Sequence, residues 1–259
     1  MEDTLVDVRH KTRSTPAVCR AIGRAILKLC QTVPHGVVVF VPSYNYEQVL
    51  VVAWKSMGIW DAIRAVKPIF RDQPKTKHRP SSQSHAIEST LEQYSQAAVS
   101  GSNTSTSTGG GALLLSVVGG KLSEGINFAN ELCRCVVVVG LPYADKSDPL
   151  LQEKLKLCET NPQTYYQSFC LRAVNQSVGR AIRHANDYAS IVLMDVRYPR
   201  DDGIARGLPN WLTRSTPAWR QQSTDLTNVV RGMNDFFDEK RRNRSKRKRT
   251  KKWRSWLYS

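Results

Sequence analysis

The sequence lacks the features that direct a protein into a membrane or a secretory pathway. No stretch of its 259 residues approaches the roughly 18 consecutive apolar residues of a membrane-spanning helix. The first residues, MEDTLVDVRHKTR, also lack the apolar core of a signal peptide. The composition, 41% hydrophobic and 23% charged, is that of a soluble globular chain and excludes a fibrous or globally disordered one. We therefore expect an intracellular protein with no membrane partner.

Metal-binding patterns are also absent. No two cysteines have C-x-x-C spacing, and none has a histidine at the spacing of a zinc site. The six cysteines are Cys19, Cys30, Cys133, Cys135, Cys158 and Cys170. Buried free thiols in a reducing compartment explain them best, so we expect no metal site in this chain.

Positive charge is abundant but unevenly placed. The chain has 38 Lys or Arg against 22 Asp or Glu, which gives a formal net charge of +16. Eleven of these basic residues, and no acidic residue, lie within residues 240–254. Because such a dense block repels itself, we expect a disordered tail over residues 241–259 beside a domain over residues 1–240. This tail would bind nucleic acid or a nuclear import receptor, or would have no dedicated partner.

Short apolar runs alternate with helical patterns along the domain. Four runs typical of strands buried on both faces of a sheet are residues 37–41, 112–118, 135–139 and 191–194. Their alternation with helices predicts an open, mostly parallel α/β sheet, whose ligands would bind at the carboxyl ends of the strands. Residues 100–111 contain only Ser, Thr, Gly and Asn. We favour a flexible loop there over a linker between domains.

Two candidate binding segments directly follow predicted strands. In VPSY, the hydroxyl of Ser43 would bond a nucleic-acid phosphate, although turn formation explains this residue equally well. In GGKLSEGINF, residues 119–128, paired glycines let the backbone approach a ligand, and Glu124 and Asn127 add an anion and an amide. This segment lacks the G-x-x-x-x-G-K-[ST] spacing of a Walker A loop. On chemistry alone, a plain strand-to-helix turn explains it about as well.

A third candidate segment, QSVGRAIRH at residues 176–184, lies where a long helical pattern ends near Ile182. Arg180 and Arg183 are three residues apart and would share one helical face, with Gln176 one turn earlier. Two guanidinium groups and an amide on one stripe suit the oxygens of a polyphosphate. A solvated basic face is the competing interpretation.

These three segments, in this order, resemble motifs IV, V and VI of the second RecA-like domain of superfamily 2 helicases. The forms GGKLSEGINF and QSVGRAIRH are those of the XPD-like group. Surrounding stretches such as VPHGVVVFVPSYNY and DYASIVLMDVRY are most similar to the chromosome-loss, or ChlR-type, subfamily. The similarity covers about residues 5–240, and motifs V and VI together are highly specific.

The resemblance implies a RecA-like fold and a role in an ATP-dependent DNA helicase, in which two RecA-like domains sandwich ATP and Mg²⁺. Carried over by motif, Arg180 and Arg183 would be arginine fingers that neutralise charge on the γ-phosphate. The residues that would bind the nucleotide or couple it to DNA are Gln176, Gly179, Glu124, Gly125 and Asn127. Those that would contact DNA are Ser43, Tyr44 and Lys121.

The resemblance also implies that half of the active site comes from elsewhere. In the family, a first RecA-like domain supplies a Walker A lysine, a D-E-A-H box and an iron–sulfur module, and these patterns are absent here. We therefore expect a nuclear C-terminal motor domain, inactive alone, that works with the first domain on single-stranded or forked DNA. The alternative is a non-catalytic nucleic-acid-binding fragment, in which Trp253 and Trp256 of the tail would stack on unpaired bases.

Overall fold

The computed structural model describes residues 6–72, 80–100, 110–122, 128–159, 161–184, 186–214 and 226–256. Its sheet is built from β1 (Val37–Val41), β2 (Ile69–Arg71), β3 (Leu113–Val117), β4 (Cys135–Val139) and β5 (Ser190–Met194). The strand order is β2-β3-β1-β4-β5, and each neighbouring pair is parallel. The predicted open parallel α/β sheet is confirmed.

Helices connect the strands and cover both faces of the sheet. They are α1 (Pro16–Thr32), α2 (Tyr44–Ser56), α3 (Ile59–Val66), α4 (Pro80–Ser100), α5 (Pro149–Lys156), α6 (Pro162–Gly179), α7 (Arg197–Arg200), α8 (Asp202–Arg206), α9 (Asn210–Arg214) and α10 (Leu226–Trp256). Thr15 caps α1 through its hydroxyl, and Asn161 caps α6 in the same way through its side-chain oxygen. Within the described ranges, no helix is both long and apolar enough to cross a membrane.

The central strand divides its side chains between two hydrophobic cores. Val37, Val39 and Val41 pack with α1, α2 and α3, together with Met233 of α10. Val38 and Phe40, which alternate with these residues, point to the opposite face, where they pack with residues of α4 and α6. All residues of β1, β3 and β4 are buried, which explains why these strands are apolar in sequence at every position except Ser116 of β3.

A buried lysine forms hydrogen bonds with two loops at the amino edge of the sheet. The Lys67 Nζ donates hydrogen bonds to the carbonyl oxygens of His35, at 2.8 Å, and Gly110, at 2.6 Å. Burial lowers the pKa of Lys67 to about 8. Gly110 is the first described residue after residues 101–109, so most of the predicted loop over residues 100–111 lies outside the described residues.

The last helix extends into the predicted tail. Met233 and Phe237 anchor α10 on the first core, and its helical backbone runs on through Trp256. From charge repulsion, the sequence predicts a disordered segment from residue 241. Charge repulsion keeps such a segment from packing against another basic surface. It does not prevent a helical backbone, because Lys and Arg are good helix formers. The division into a domain over residues 1–240 and a tail over residues 241–259 stays a prediction.

Candidate functional site

A cleft of about 1010 Å³ lies at the carboxyl edge of the sheet. Its walls come from the segment before α1, the loops after β1, β3 and β4, and one side of α6. The Lys and Arg residues that line it are Arg9, Arg13, Lys146, Arg180 and Arg197, whereas Asp145 is its one acidic lining residue. Because field lines concentrate in such a concave surface, this excess of positive charge favours an anionic ligand.

Two of the cleft arginines are neutralised by carboxylates beside it. Asp195 is fully buried at its side chain and accepts two hydrogen bonds from Arg197, from Nε at 2.8 Å and from Nη2 at 2.7 Å. Arg9 pairs in the same way with Asp7, and its hydrogen bonds lower the pKa of Asp7 to about 2. The uncompensated positive charge of the cleft therefore comes from its other three basic lining residues, which have no ion pair to a described carboxylate.

The helix that carries the predicted arginines ends earlier than expected. α6 ends at Gly179, and Arg180 is its C-cap residue, with the backbone N–H bonded to the Ser177 carbonyl oxygen at 3.4 Å. The next residue, Ala181, is fully buried in the second core, and its N–H bonds to the Val178 carbonyl oxygen at 3.1 Å, which closes a turn tighter than that of an α-helix. The prediction that Arg180 and Arg183 share one helical face is therefore wrong.

The turn after α6 nevertheless brings the motif VI residues together. Gln176, Gly179, Arg180 and Arg183 line one shallow depression of about 610 Å³ that opens to solvent. Gln176 and Arg183 are exposed and Arg180 is half-buried. Neither arginine has an ion pair to a carboxylate of the described residues. Both guanidinium groups are therefore available to an anion, and Gln176 and Arg180 also line the neighbouring cleft.

A buried ion pair supports the turn that carries Arg183. The Asp187 Oδ2 accepts the backbone N–H groups of Arg183 and Asn130, each at 3.4 Å. The Asp187 Oδ1 accepts from Arg134 Nη1 at 2.9 Å, and the two side chains are 0% and 4% exposed. The Arg134 guanidinium also lies 4.0 Å from the ring centroid of Tyr188. Sequence reasoning missed this pair, for which the only signal was an arginine at the start of an apolar run.

The turn after β1 contains one residue that reaches the cleft and one that does not. Ser43 lines the cleft, and its Oγ accepts the N–H of Tyr46 at 3.2 Å to cap α2. Turn formation is therefore a demonstrated role of Ser43, and its DNA contact stays a prediction. Tyr44 is not a lining residue of the cleft, and its hydroxyl donates to Asp72 Oδ1 at 3.2 Å.

The glycine-rich segment after β3 is described only at its start. Gly119 lines the cleft and has a φ of +69°, a left-handed conformation that favours glycine. The N–H of Gly120 closes the turn onto the Val117 carbonyl oxygen at 2.8 Å, and Lys121 is exposed. Glu124, Gly125 and Asn127 lie outside the described residues. Their predicted roles, and that of Lys121, stay predictions.

The donor set of the described residues fits phosphate rather than a metal ion. No group of three His, Cys, Asp or Glu residues in the described part of the chain could hold a metal. All six cysteines are free and five of them are buried. The guanidinium groups of Arg180 and Arg183 are fork-shaped donors suited to phosphate oxygens. These residues fit the oxygens of a polyphosphate.

A family model described as "Helicase C-terminal domain" matches residues 26–215. The chain belongs to this family. The helicase C-terminal domain is 42% identical over 222 residues to "ATP-dependent DNA helicase DDX11" of Danio rerio, a match covering 82% of this chain and 24% of that protein. It is 38% identical over 251 residues to "ATP-dependent DNA helicase CHL1" of Meyerozyma guilliermondii, with 92% of this chain and 28% of that protein covered. The chain thus spans about a quarter of the length of these relatives.

A solved structure shows the same fold for the helicase C-terminal domain. "Structure of S. tokodaii Xpd4" has a TM-score of 0.51 and 20% identity, covering 80% of this chain and 35% of that chain. The predicted RecA-like fold is confirmed by this likeness. The resemblance to the XPD-like, ChlR-type helicases, drawn from motifs V and VI, is confirmed by the family model and the CHL1 relatives.

Proposed function

We propose that this helicase C-terminal domain is the second motor domain of an ATP-dependent DNA helicase. Its role is to supply Arg180 and Arg183 as arginine fingers to ATP held between it and a first RecA-like domain. One observation carries the proposal, which is that both arginines line one open depression with Gln176 and have no described carboxylate partner. Relatives that carry the name ATP-dependent DNA helicase support the reaction class.

The openness of the depression explains why a second domain is needed. Gln176, Gly179 and Arg183 are exposed to solvent, so a phosphate bound there would remain in contact with water. Charge interactions weaken several-fold in water compared with a protein interior. A first RecA-like domain that covers the depression would exclude water and strengthen the contacts of both guanidinium groups with the γ-phosphate. That domain would also supply the ligands of Mg²⁺ and, by resemblance, the iron–sulfur cluster.

The neighbouring cleft supports a path for single-stranded DNA. Arg13, Lys146 and the hydroxyl of Ser43 lie along its wall, where they would contact backbone phosphates. Lys121 follows the glycine turn that borders the same cleft and would add a further cation. Because Gln176 and Arg180 line both the cleft and the depression, the DNA path and the nucleotide site share one wall. A shared wall is a direct way to couple ATP hydrolysis to translocation.

The 259-residue chain alone is expected to show no ATP turnover above background. The measurement is phosphate release with and without single-stranded DNA, first on the chain and then on the chain combined with a first RecA-like domain of the same family. We refer to this combination as the assembled enzyme. It is expected to hydrolyse ATP and to do so faster with DNA, because the two half-sites then enclose the nucleotide. DNA-stimulated turnover by the chain alone, or none by the assembled enzyme, would contradict the proposal.

A second candidate function, nucleic-acid binding or nuclear import by the basic tail, is favoured by the eleven Lys or Arg within residues 240–254. Truncation after Glu239 is expected to weaken DNA binding and to flatten its salt dependence. Each lost phosphate contact changes the slope of log affinity against log salt by about 0.7 for single strands. Losing four such contacts would therefore change the slope by about 3.

A tail with the same residues in scrambled order serves as the matched control, because it keeps the charge and removes any specific import signal. If the tail only binds DNA, the scrambled tail keeps the salt slope of the intact chain. If the tail addresses the protein to the nucleus, truncation reduces nuclear accumulation of a fluorescent fusion. An unchanged slope after truncation would exclude the DNA-binding role.

A further inference from the structure

Asp72 is a buried carboxylate at the carboxyl end of β2. The residue is 2% exposed, and it has no ion pair to a cation of the described residues. Burial raises the pKa of Asp72, while hydrogen bonds from its surroundings oppose this shift. Because a buried carboxylate without a cation is costly, it is stable only where several hydrogen-bond donors converge on it. The position of those donors shows what Asp72 holds in place.

The donors to Asp72 come from the first turn of α2 and from β3 with the segment that follows it. The Tyr44 hydroxyl, in the first turn of α2, donates to Oδ1 at 3.2 Å. The Ser116 hydroxyl approaches Oδ2 at 3.5 Å, and the backbone N–H groups of Val117 and Leu122 lie close enough to lower the pKa of the carboxylate. The side chain of Asp72 therefore joins the turn after β1 to the turn after β3. Both turns border the cleft, through Ser43 on one side and Gly119 on the other.

The second glycine of the turn after β3 is fitted to this carboxylate. A Cβ atom added to Gly120 would lie 2.3 Å from Asp72 Oδ2 and 3.0 Å from the Tyr44 hydroxyl. No carbon atom fits at such a distance from the oxygen. The turn is therefore closed directly onto Asp72, which gives a contact reason for a glycine at position 120 that is separate from the left-handed conformation of Gly119.

We propose that Asp72 is a positioning residue that holds residues 118–122 in register with the turn after β1, so that DNA binding in the cleft is transmitted to the glycine-rich segment. Asp72 does not line the cleft or the depression and would not touch DNA or nucleotide. The local ordering stands on the contacts above, and the transmission to ATP turnover rests on the proposed function. Two measurements test these parts separately.

The test uses Asp72→Asn, which keeps the shape of the side chain but replaces one acceptor oxygen with a donor. An amide group cannot accept from all the donors that converge here, so part of the network is lost. In the 259-residue chain, hydrogen exchange of the amides of residues 117–122 is expected to be about tenfold faster, whereas β4 keeps its protection. In the assembled enzyme, stimulation of ATP turnover by DNA is expected to fall by about tenfold, with unstimulated turnover within about twofold.

Glu47→Gln is the matched control. Glu47 is likewise 2% exposed and pairs with Arg71 at 2.6 Å, one residue from Asp72, so its loss perturbs the same strand end. This variant is expected to lower stability but to leave exchange of residues 117–122 and DNA stimulation as in the wild type. Tyr44→Phe removes one of the donors to Asp72. The exchange rate of residues 117–122 in this variant is expected to lie between those of the wild type and Asp72→Asn.

The inference is overturned if Asp72→Asn leaves exchange of residues 117–122 unchanged. It is also overturned if Asp72→Asn and Glu47→Gln reduce DNA stimulation equally, because the effect would then be a general loss of stability. If DNA does not stimulate ATP turnover by the wild-type assembled enzyme, the proposed function is wrong instead. In that case, the exchange measurement on the chain still decides whether Asp72 orders the turn.

Discussion

Replacing either Arg180 or Arg183 with alanine is expected to lower ATP turnover by the assembled enzyme by a factor on the order of a thousand or more. Charge accumulates on the γ-phosphate oxygens as the bond to the leaving group breaks. A guanidinium group already aimed at those oxygens stabilises the transition state without reorganising. Neither arginine has an ion pair to a described carboxylate, so each substitution removes a ligand contact and leaves no buried charge unpaired. The fold should therefore stay intact.

Arg172→Ala is the matched control for these variants. Arg172 lies on the same helix, α6, is exposed, and lines neither the cleft nor the depression. Its removal is expected to leave turnover and thermal stability close to wild type. Arg180→Lys should recover only part of the rate, because lysine keeps the charge but not the fork-shaped pair of donors. Turnover that is unchanged in Arg180→Ala or Arg183→Ala, at saturating ATP and DNA, would refute the finger assignment.

Much of the fold follows from the sequence because buried parallel strands have a simple signature. The run Val37–Val41 is apolar at every position since both of its faces are covered, and the structure finds β1 at those residues. Helix α3, which follows the turn at Gly58 with its φ of +69°, is not predicted, because its eight residues are too few for a clear helical period. The end of α6 differs from the sequence pattern because the N–H groups of Arg180 and Ala181 bond to the carbonyl oxygens of Ser177 and Val178, which closes the helix in a tighter turn.

The candidate site was predictable only where a motif spans a short stretch of chain. Gln176, Arg180 and Arg183 meet in one depression as expected, although a turn rather than a helical face brings the second arginine into place. Asp72 and Asp187 could not be found in the same way. Each is a single carboxylate whose partners lie elsewhere in the sequence, so only the folded chain shows that it supports a motif. The partners of Asp187, for example, include Arg134, more than fifty residues earlier.

Removal of the Asp187 carboxylate is expected to cause a large loss of stability. Asp187→Ala leaves the Arg134 guanidinium, 4% exposed, without its buried counter-charge. Breaking a buried ion pair from one side costs about 3–5 kcal/mol, because the remaining charge stays desolvated. The Arg134 guanidinium would keep the Tyr188 carbonyl oxygen at 2.9 Å and the partly exposed Glu131 carboxylate at 3.7 Å, which compensate for only part of this loss. The measurement is the free energy of unfolding from urea titrations of the 259-residue chain.

An exposed ion pair provides the comparison that isolates burial as the cause. Glu153 and Lys156 pair at 2.9 Å but are 62% and 67% exposed, so Glu153→Ala should cost less than about 1 kcal/mol. A loss for Asp187→Ala as small as that for Glu153→Ala would show that Arg134 is rehydrated or finds another partner.

Asp187→Asn separates charge from hydrogen bonding, since an amide oxygen still accepts the backbone N–H of Arg183. If that variant loses stability but keeps turnover once folded, the N–H contacts position Arg183. If it loses both, the charge of Asp187 sets the geometry of the turn.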